Sequence, residues 1–399
     1  MKTKFLIVLY IIFAVALSQS CSKFEPVAPD EGEILDGPVE GLSFDQNRQF
    51  LAGDVAFNDE IFTSQTGLGS VFVATSCGSC HAGDGKGTPF TTLTRFGQID
   101  TTGNQFLHLG GPQLQNRALP GFTPEQLPQG ATFSKFTPPA NTGLGFLELV
   151  SDADILAMAD PTDANGDGIS GVPNYNYLPS FIQPFTSAIP QGGKYIHRFG
   201  KKASAYNLLH QTVNAYNQDI GITSTFNPKD VYSGNNIDPE ISDQTIHNVV
   251  FYLQTLKVPI QRNSNDAEVI KGKNLFTQIQ CSSCHTPMLK TGVSNIAPLS
   301  NKIFFPYTDL LLHDMGSGLD DGYTEGSAMT YEWRTPPLWG LGLSPKSQGG
   351  EYFLMHDGRA KSIEEAIQLH SGEALQSKNN FNQLSQENKN ALIKFLKSL

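Results

Sequence analysis

"SCGSCHAGDG" (76–85) and "QCSSCHTP" (280–287) share one spacing, Cys-x-x-Cys-His, and that repeat decides how the chain is read. The pentad suits a redox pair, half a zinc site or the attachment of a c-type haem. Of five cysteines, Cys77 and Cys80 stand in one copy, Cys281 and Cys284 in the other, and Cys21 stands alone. A thioredoxin-type pair has no need of a following histidine. A zinc site would have to close over about two hundred residues, whereas structural zinc sites close over short spacings. Haem attachment uses every residue of both copies: four thiols form thioethers, and His81 and His285 reach the two irons. The expected cofactors are two covalently bound haem c.

The N-terminus gives the expected address. Lys2 and Lys4 precede "FLIVLYIIFAVAL" (5–17), an apolar run that fits a signal-peptide core and falls short of the ~20 residues of a bilayer span. Residues 1–20 read as a signal peptide, and 21–44, acidic and rich in Pro and Gly, as a tether. Cys21 falls where a bacterial lipoprotein carries its lipid, although Ser18 stands where such signals usually have leucine. The alternative is ordinary cleavage with an incidental cysteine. Lipidation predicts a chain in the periplasm or outer cell envelope, anchored to a membrane face without spanning it.

Formal net charge is −11, and no basic cluster with interleaved aromatics occurs, which excludes nucleic acid as a partner class. An acidic surface suits a small basic electron-donor protein and equally serves solubility. The quinone pool is the other donor class open to an anchored cytochrome. With 38 Gly, 24 Pro and only 16% charged residues, the chain reads as long ordered loops wrapped around a bulky group.

Two echoes accompany the pentads. "FLAGDVAF" (50–57) precedes the first with Gly53 and Phe57, and "VIKGKNLF" (269–276) precedes the second with Gly272 and Phe276; "TPPANTGLG" (137–145) and "TPPLWGLG" (335–342) follow them. Their common order predicts a mainly α chain of two cytochrome c-like haem domains, 45–260 and 261–399, with long loops and an inserted helical segment. "AYNLLHQTVNAY" (205–216) and "IHNVVFYLQTLKV" (246–258) read as helices packed between those domains. In "DPTDANGDGISG" (160–171), Asp163, Asn165 and Asp167 followed by Gly168 form the first half of a calcium loop. Asn174 stands where an EF-hand has its bidentate glutamate, so an ion-free Asp/Asn/Gly turn stays open as the other reading.

Five segments carry a family resemblance: "RFGKKA" (198–203), "DANGDGISG" (163–171), "YTDLLLHDMG" (307–316), "EWRTPPLWGLGL" (332–343) and "HDGRAKSIEEAIQLHSGEA" (356–374). Together the chain resembles the bacterial di-haem oxidoreductase family of peroxidases, sometimes labelled thiol oxidoreductases, from about residue 45 onward and most specifically in its C-terminal third. That family is similar to di-haem cytochrome c peroxidases and to the di-haem enzyme that matures the tryptophan-derived cofactor of methylamine dehydrogenase. The resemblance implies two cytochrome c-like domains with calcium near their interface. The thiol label finds no support, since every cysteine is already assigned.

"SIEEAIQLH" (362–370) opens with Ser362 as N-cap and Glu365 three residues on, a capping box, and its periodicity places His370 on the stripe of Ile363, Ala366 and Ile367. His370 is therefore the expected sixth ligand of the second iron, at the place where the related peroxidases deliver a methionine. A second imidazole lowers the potential relative to methionine. Met315 and Met355 are next in line. His313 and His356 suit interdomain or propionate contacts, Arg334 and Arg359 suit propionates, and Trp333 and Trp339 read as core packing or an electron relay.

For the first haem, His108 in "FLHLGG" is the nearest downstream histidine and the candidate sixth ligand, with a surface role as the alternative. Glu148 in "GLGFLELV" is the candidate acid/base for cleaving the O–O bond of hydrogen peroxide, against a salt-bridged or solvated role. Two function classes follow. One is a peroxide-dependent oxidoreductase with one reactive haem and one that passes electrons; the other is a plain electron-transfer cytochrome with both irons six-coordinate.

Overall fold

The computed structural model describes residues 30–97, 106 and 108–399. The signal segment, Cys21 and the tether up to residue 29 lie outside the described residues. Glu31–Glu33 is a 3-10 turn in the short unit that ends at Ile34, and Leu35–Leu399 is a second unit. No helix among the described residues is long and apolar enough to cross a membrane.

Among its described residues the second unit has ten α-helices: α1 (Phe44–Asp54), α2 (Leu144–Glu148), α3 (Asp152–Met158), α4 (Leu208–Ile220), α5 (Asp243–Thr255), α6 (Ala267–Gln278), α7 (Ser344–Ser347), α8 (Ile363–Leu369), α9 (Leu375–Gln383) and α10 (Gln386–Ser398). Local chemistry sets their ends. Ser43 and Gln46 close a capping box at α1, Asp266 accepts from Glu268 N and Val269 N at α6, and Gly221 in the left-handed region ends α4. Ten short strands among the described residues pair in antiparallel twos: β1 (Val71–Phe72) with β3 (Arg117–Ala118), β2 (Leu93–Gly97) with β4 (Thr132–Phe136), β5 (Asn174–Asn176) with β6 (Tyr195–His197), β7 (Leu289–Lys290) with β8 (Ile303–Phe304), and β9 (Leu312–Asp314) with β10 (Glu332–Arg334). The chain is mainly α, as its sequence predicts.

The echoes in the sequence are two helix crossings. At Gly53, α1 meets α5 so closely that an added Cβ would collide with the Asn248 carbonyl; at Gly272, α6 meets α10, and the collision would be with the Ala391 carbonyl. Only glycine permits either approach. One turn later Phe57 packs on His81 and Tyr252, and Phe276 on His285 and Phe395. The second echo repeats the logic: Gly145 lies against the carbonyl of Gln254 in the last turn of α5, and Gly342 against that of Lys397 in the last turn of α10.

The helix in 246–258 is α5, the second member of the first crossing. The halves also share a core. Phe136 of β4 packs edge-on against Tyr323 and Trp333, and Leu289, Phe304 and Trp339 join the cluster built on Phe50, Phe57 and Tyr252. Residues 35–399 form one compact unit.

Candidate haem cavity

One continuous cavity is lined by both pentads, Cys77, Cys80 and His81 on one side and Cys281, Cys284 and His285 on the other. None of these four cysteines forms a disulfide. Burial pushes Cys77 and Cys281 up to about 12 and Cys80 to about 11, so none is a reactive thiolate at neutral pH. Thiol redox chemistry has no support in this environment.

Each pentad histidine is held through one ring nitrogen. His81 Nδ1 bonds the Pro139 carbonyl at 2.9 Å and His285 Nδ1 bonds the Tyr307 carbonyl at 3.0 Å. A carbonyl is an acceptor only, so Nδ1 carries the proton and Nε2 keeps its lone pair for a metal. Pro139 belongs to the first TPP echo, which explains that motif's position; in the second module Tyr307, upstream of the echo, takes over the task. Burial lowers both imidazoles to about 4, and His370 adds to the effect on His285. Neutral imidazole is the ligand form.

His370 lines the same cavity, and its Nδ1 bonds the Ala366 carbonyl at 2.7 Å. It is the C-cap of α8, one residue beyond the helix that its periodicity placed it in. The capping box is incomplete as well: Ser362 accepts from Glu365 N, but Glu365 Oε2 turns to Lys361 N. The other cavity-lining histidines are engaged. His313 is held at 2.8 Å by Asp309 and at 2.6 Å by Glu373, and His356 Nε2 meets Asp321 at 2.8 Å while its ring stacks 3.7 Å from Trp333. Met315 and Met355 line the cavity near Trp333.

The remaining sequence candidates are placed differently. His108 is exposed and absent from the cavity lining. Glu148 is buried but also absent from it: Oε1 accepts from Leu208 N and Oε2 from Gln254 Nε2, both at 2.7 Å, which fastens α2 to α4 and α5. The place just past the first TPP echo, which suggested Glu148 as the acid/base, does not fix where its carboxylate points. In the 160–171 loop, Asp163 accepts from Gly168 N, Asn165 from Asp167 N and Asp167 from Ile169 N. The bonds at Asn165 and Asp167 are Asx turns, whereas Asp163 reaches across the loop to the amide five residues on. Arg359 is paired with Asp357 at 2.7 Å, outside the cavity.

The sequence did not single out Lys86 and Lys201, which line the cavity with Arg334. Burial and mutual repulsion lower Lys201 to about 7, burial lowers Lys86 to about 8, and Arg334 falls to about 10. Three desolvated cations facing one cavity call for anions. Haem propionates fit that demand, the locked histidines fit the irons, and the cysteine positions fit the macrocycle edges.

A search of curated proteins finds no match. Among solved structures the chain is similar to hydrazine synthase from Kuenenia stuttgartiensis (14% identity, 94% of each chain covered, TM-score 0.40) and to a MauG-like protein associated with microbial copper homeostasis (13% identity, 94% of this chain and 95% of that one covered, TM-score 0.41). The model of the family described as "Di-haem oxidoreductase, putative peroxidase" matches residues 135–399, the second pentad, both TPP echoes, the cation cluster's Lys201 and Arg334, and His370 included. On that match the chain is an oxidoreductase enzyme and belongs to the di-haem oxidoreductase family.

Proposed function

We propose that the chain is an exported c-type cytochrome of two covalently attached haems that reduces hydrogen peroxide, or uses it to oxidise a partner, at the haem on Cys77 and Cys80. The haem on Cys281 and Cys284 passes electrons. The carrying observation is an asymmetry among histidines. At the second pentad two imidazoles, His285 and His370, have Nδ1 fixed by carbonyls and Nε2 available; at the first, His81 alone does, and His108 stays outside. Two cytochrome c-like domains, a lipid on Cys21, an envelope location and a calcium in the 160–171 loop belong to the same reading, on the sequence features given above.

When bound, the haems supply the one-electron redox chemistry. The chain's own part is to fix His81 and His285 as neutral donors, to close the second position with His370, and to meet the propionates with Lys86, Lys201 and Arg334. Steady-state consumption of hydrogen peroxide, with reduced small cytochrome c as donor, tests the activity. Turnover that depends on both pentads supports it, and a protein carrying two haems that consumes no peroxide would leave a plain electron-transfer cytochrome. The mass of the mature protein should exceed its polypeptide by two haems, with Cys77→Ala/Cys80→Ala removing one.

A further inference from the structure

A second cavity, of about 410 Å³, shares Trp339 with the haem cavity. That volume lies in the range of small-molecule sites. Its floor is aromatic and buried: Phe146, Phe304, Tyr307 and Trp339 line it, with the Phe304 ring 5.5 Å from that of Phe146 and 5.8 Å from that of Trp339. Its mouth is exposed and mixed. Ile303 and Phe305, 61% and 55% exposed, line it together with the exposed Lys302 and Glu40. Two contacts lead inward from the floor. Trp339 reaches the haem cavity, and the Tyr307 carbonyl accepts the Nδ1–H of His285.

We infer that this second cavity binds the hydroquinone ring of a quinol and that the ring's electrons enter the haem cavity through Trp339. The inference rests on the peroxide reading above for the fate of those electrons. Aromatic walls suit a flat apolar ring, while Lys302 donates to one hydroxyl oxygen and Glu40 accepts from another. The quinol gives up two electrons in single steps and its two hydroxyl protons, which leave to water at the mouth, and a quinone remains. Hydrogen peroxide takes two electrons and two protons and becomes two waters. The chain from Cys21 to Val39, which lines this cavity, is 18 residues long and spans at most roughly 60 Å. A lipid on Cys21 would therefore keep the mouth near a membrane, where long-chain quinols reside.

The other tryptophan is poorly suited to carry an electron. Lys202 Nζ lies 4.0 Å from the centre of the Trp333 ring and donates to the carbonyls of Met329, Thr330 and Glu332 at 2.9, 3.1 and 2.6 Å. Three N–H bonds meet three acceptors, so the ammonium is held as a cation against the indole face. An electron hole on Trp333 would be repelled by that charge. The neighbours of Trp339 are apolar: the Phe304 ring, Val258, and Gly143, where an added Cβ would strike the indole edge.

The test titrates the two-haem protein, without peroxide, with a heptyl hydroxyquinoline N-oxide, a fluorescent quinol analogue. Quenching should saturate at one equivalent, and a water-soluble naphthoquinol should compete. Phe305→Glu places a charge on the apolar mouth and should weaken binding about tenfold or more, with haem content and spectra as folding checks. In anaerobic stopped flow, naphthoquinol should reduce the haems of Trp339→Phe about tenfold more slowly than those of wild type, while the analogue still binds. If Trp339→Phe does not assemble both haems, Phe305→Glu decides, and its haems should be reduced as slowly. Vesicles carrying a long-chain quinol, set against the soluble naphthoquinol, tell a membrane source from a free one by which reduces the haems faster. No binding of the analogue, binding that Phe305→Glu leaves unchanged, or an unslowed Trp339→Phe would each overturn the inference. A protein that binds the analogue and is reduced by quinol but consumes no peroxide would defeat the peroxide reading and leave the quinol site standing.

Discussion

The His370 ring is tied back to its own helix: Nδ1 bonds the Ala366 carbonyl at 2.7 Å, four residues earlier, on the wall of the cavity that His285 also lines. That bond fixes the tautomer and leaves Nε2 as the donor. Replacing His370 by alanine should turn the second haem from low spin to high spin and let it bind carbon monoxide, while methionine should restore low spin at a higher potential. An unchanged low-spin spectrum in the alanine variant would move the ligand to Met315 or Met355.

The two helix crossings make a paired stability prediction. Gly53→Ala and Gly272→Ala each gain about 1 kcal/mol of helix propensity but drive a Cβ into a backbone carbonyl, which cannot swing aside as a side chain would. The collision should win, with a net loss of about 1–3 kcal/mol in denaturant unfolding. Gly318→Ala, with nothing near the added Cβ, is the control and should be neutral.

His313 and Glu373 predict a pH window. Hydrogen bonds from His313 and Ser170, with the imidazolium charge, depress Glu373 to about 2 from 4.5, and the two carboxylates Asp309 and Glu373 hold His313 well above 6.5. The glutamate's contribution is present above pH 4.5 and lost as pH falls toward 2, on the order of 3 kcal/mol from a shift of that size. The histidine's contribution is full below 6.5 and lost as pH rises through its folded value. Glu373→Gln should flatten the acid limb of unfolding free energy against pH; an acid limb as steep as that of wild type would count against the pairing.

Lys201→Met should lower the potential of the first haem, because a cation that penalises the oxidised form is removed from beside its propionates and His81. Spectroelectrochemical titration reads this directly. A potential that does not move would mean that the propionates lie elsewhere.

What the sequence showed and what it hid follow one physical line. The pentads, Gly53 with Phe57 and Gly272 with Phe276 are legible because each is a local pattern whose spacing is the chemistry. His370 was within reach for the same reason, although the helix stops one residue before it. Lys86 and Lys201 carry no local signal; they come from segments far apart in the chain and meet only at the cavity wall. Nearness of His108 to His81 in the chain does not fix nearness in space. Nor does the place of Glu148 just past the first TPP echo reveal its partners, Leu208 N and Gln254 Nε2.

The central claim is that the two haems differ, one open and one closed by His370. Low-temperature EPR of the oxidised protein before and after one equivalent of hydrogen peroxide tests it most directly. The account predicts one high-spin and one low-spin ferric signal, with peroxide abolishing the high-spin signal of the haem on Cys77 and Cys80 and perturbing the other by electron loss. Two low-spin signals that peroxide leaves untouched would contradict it.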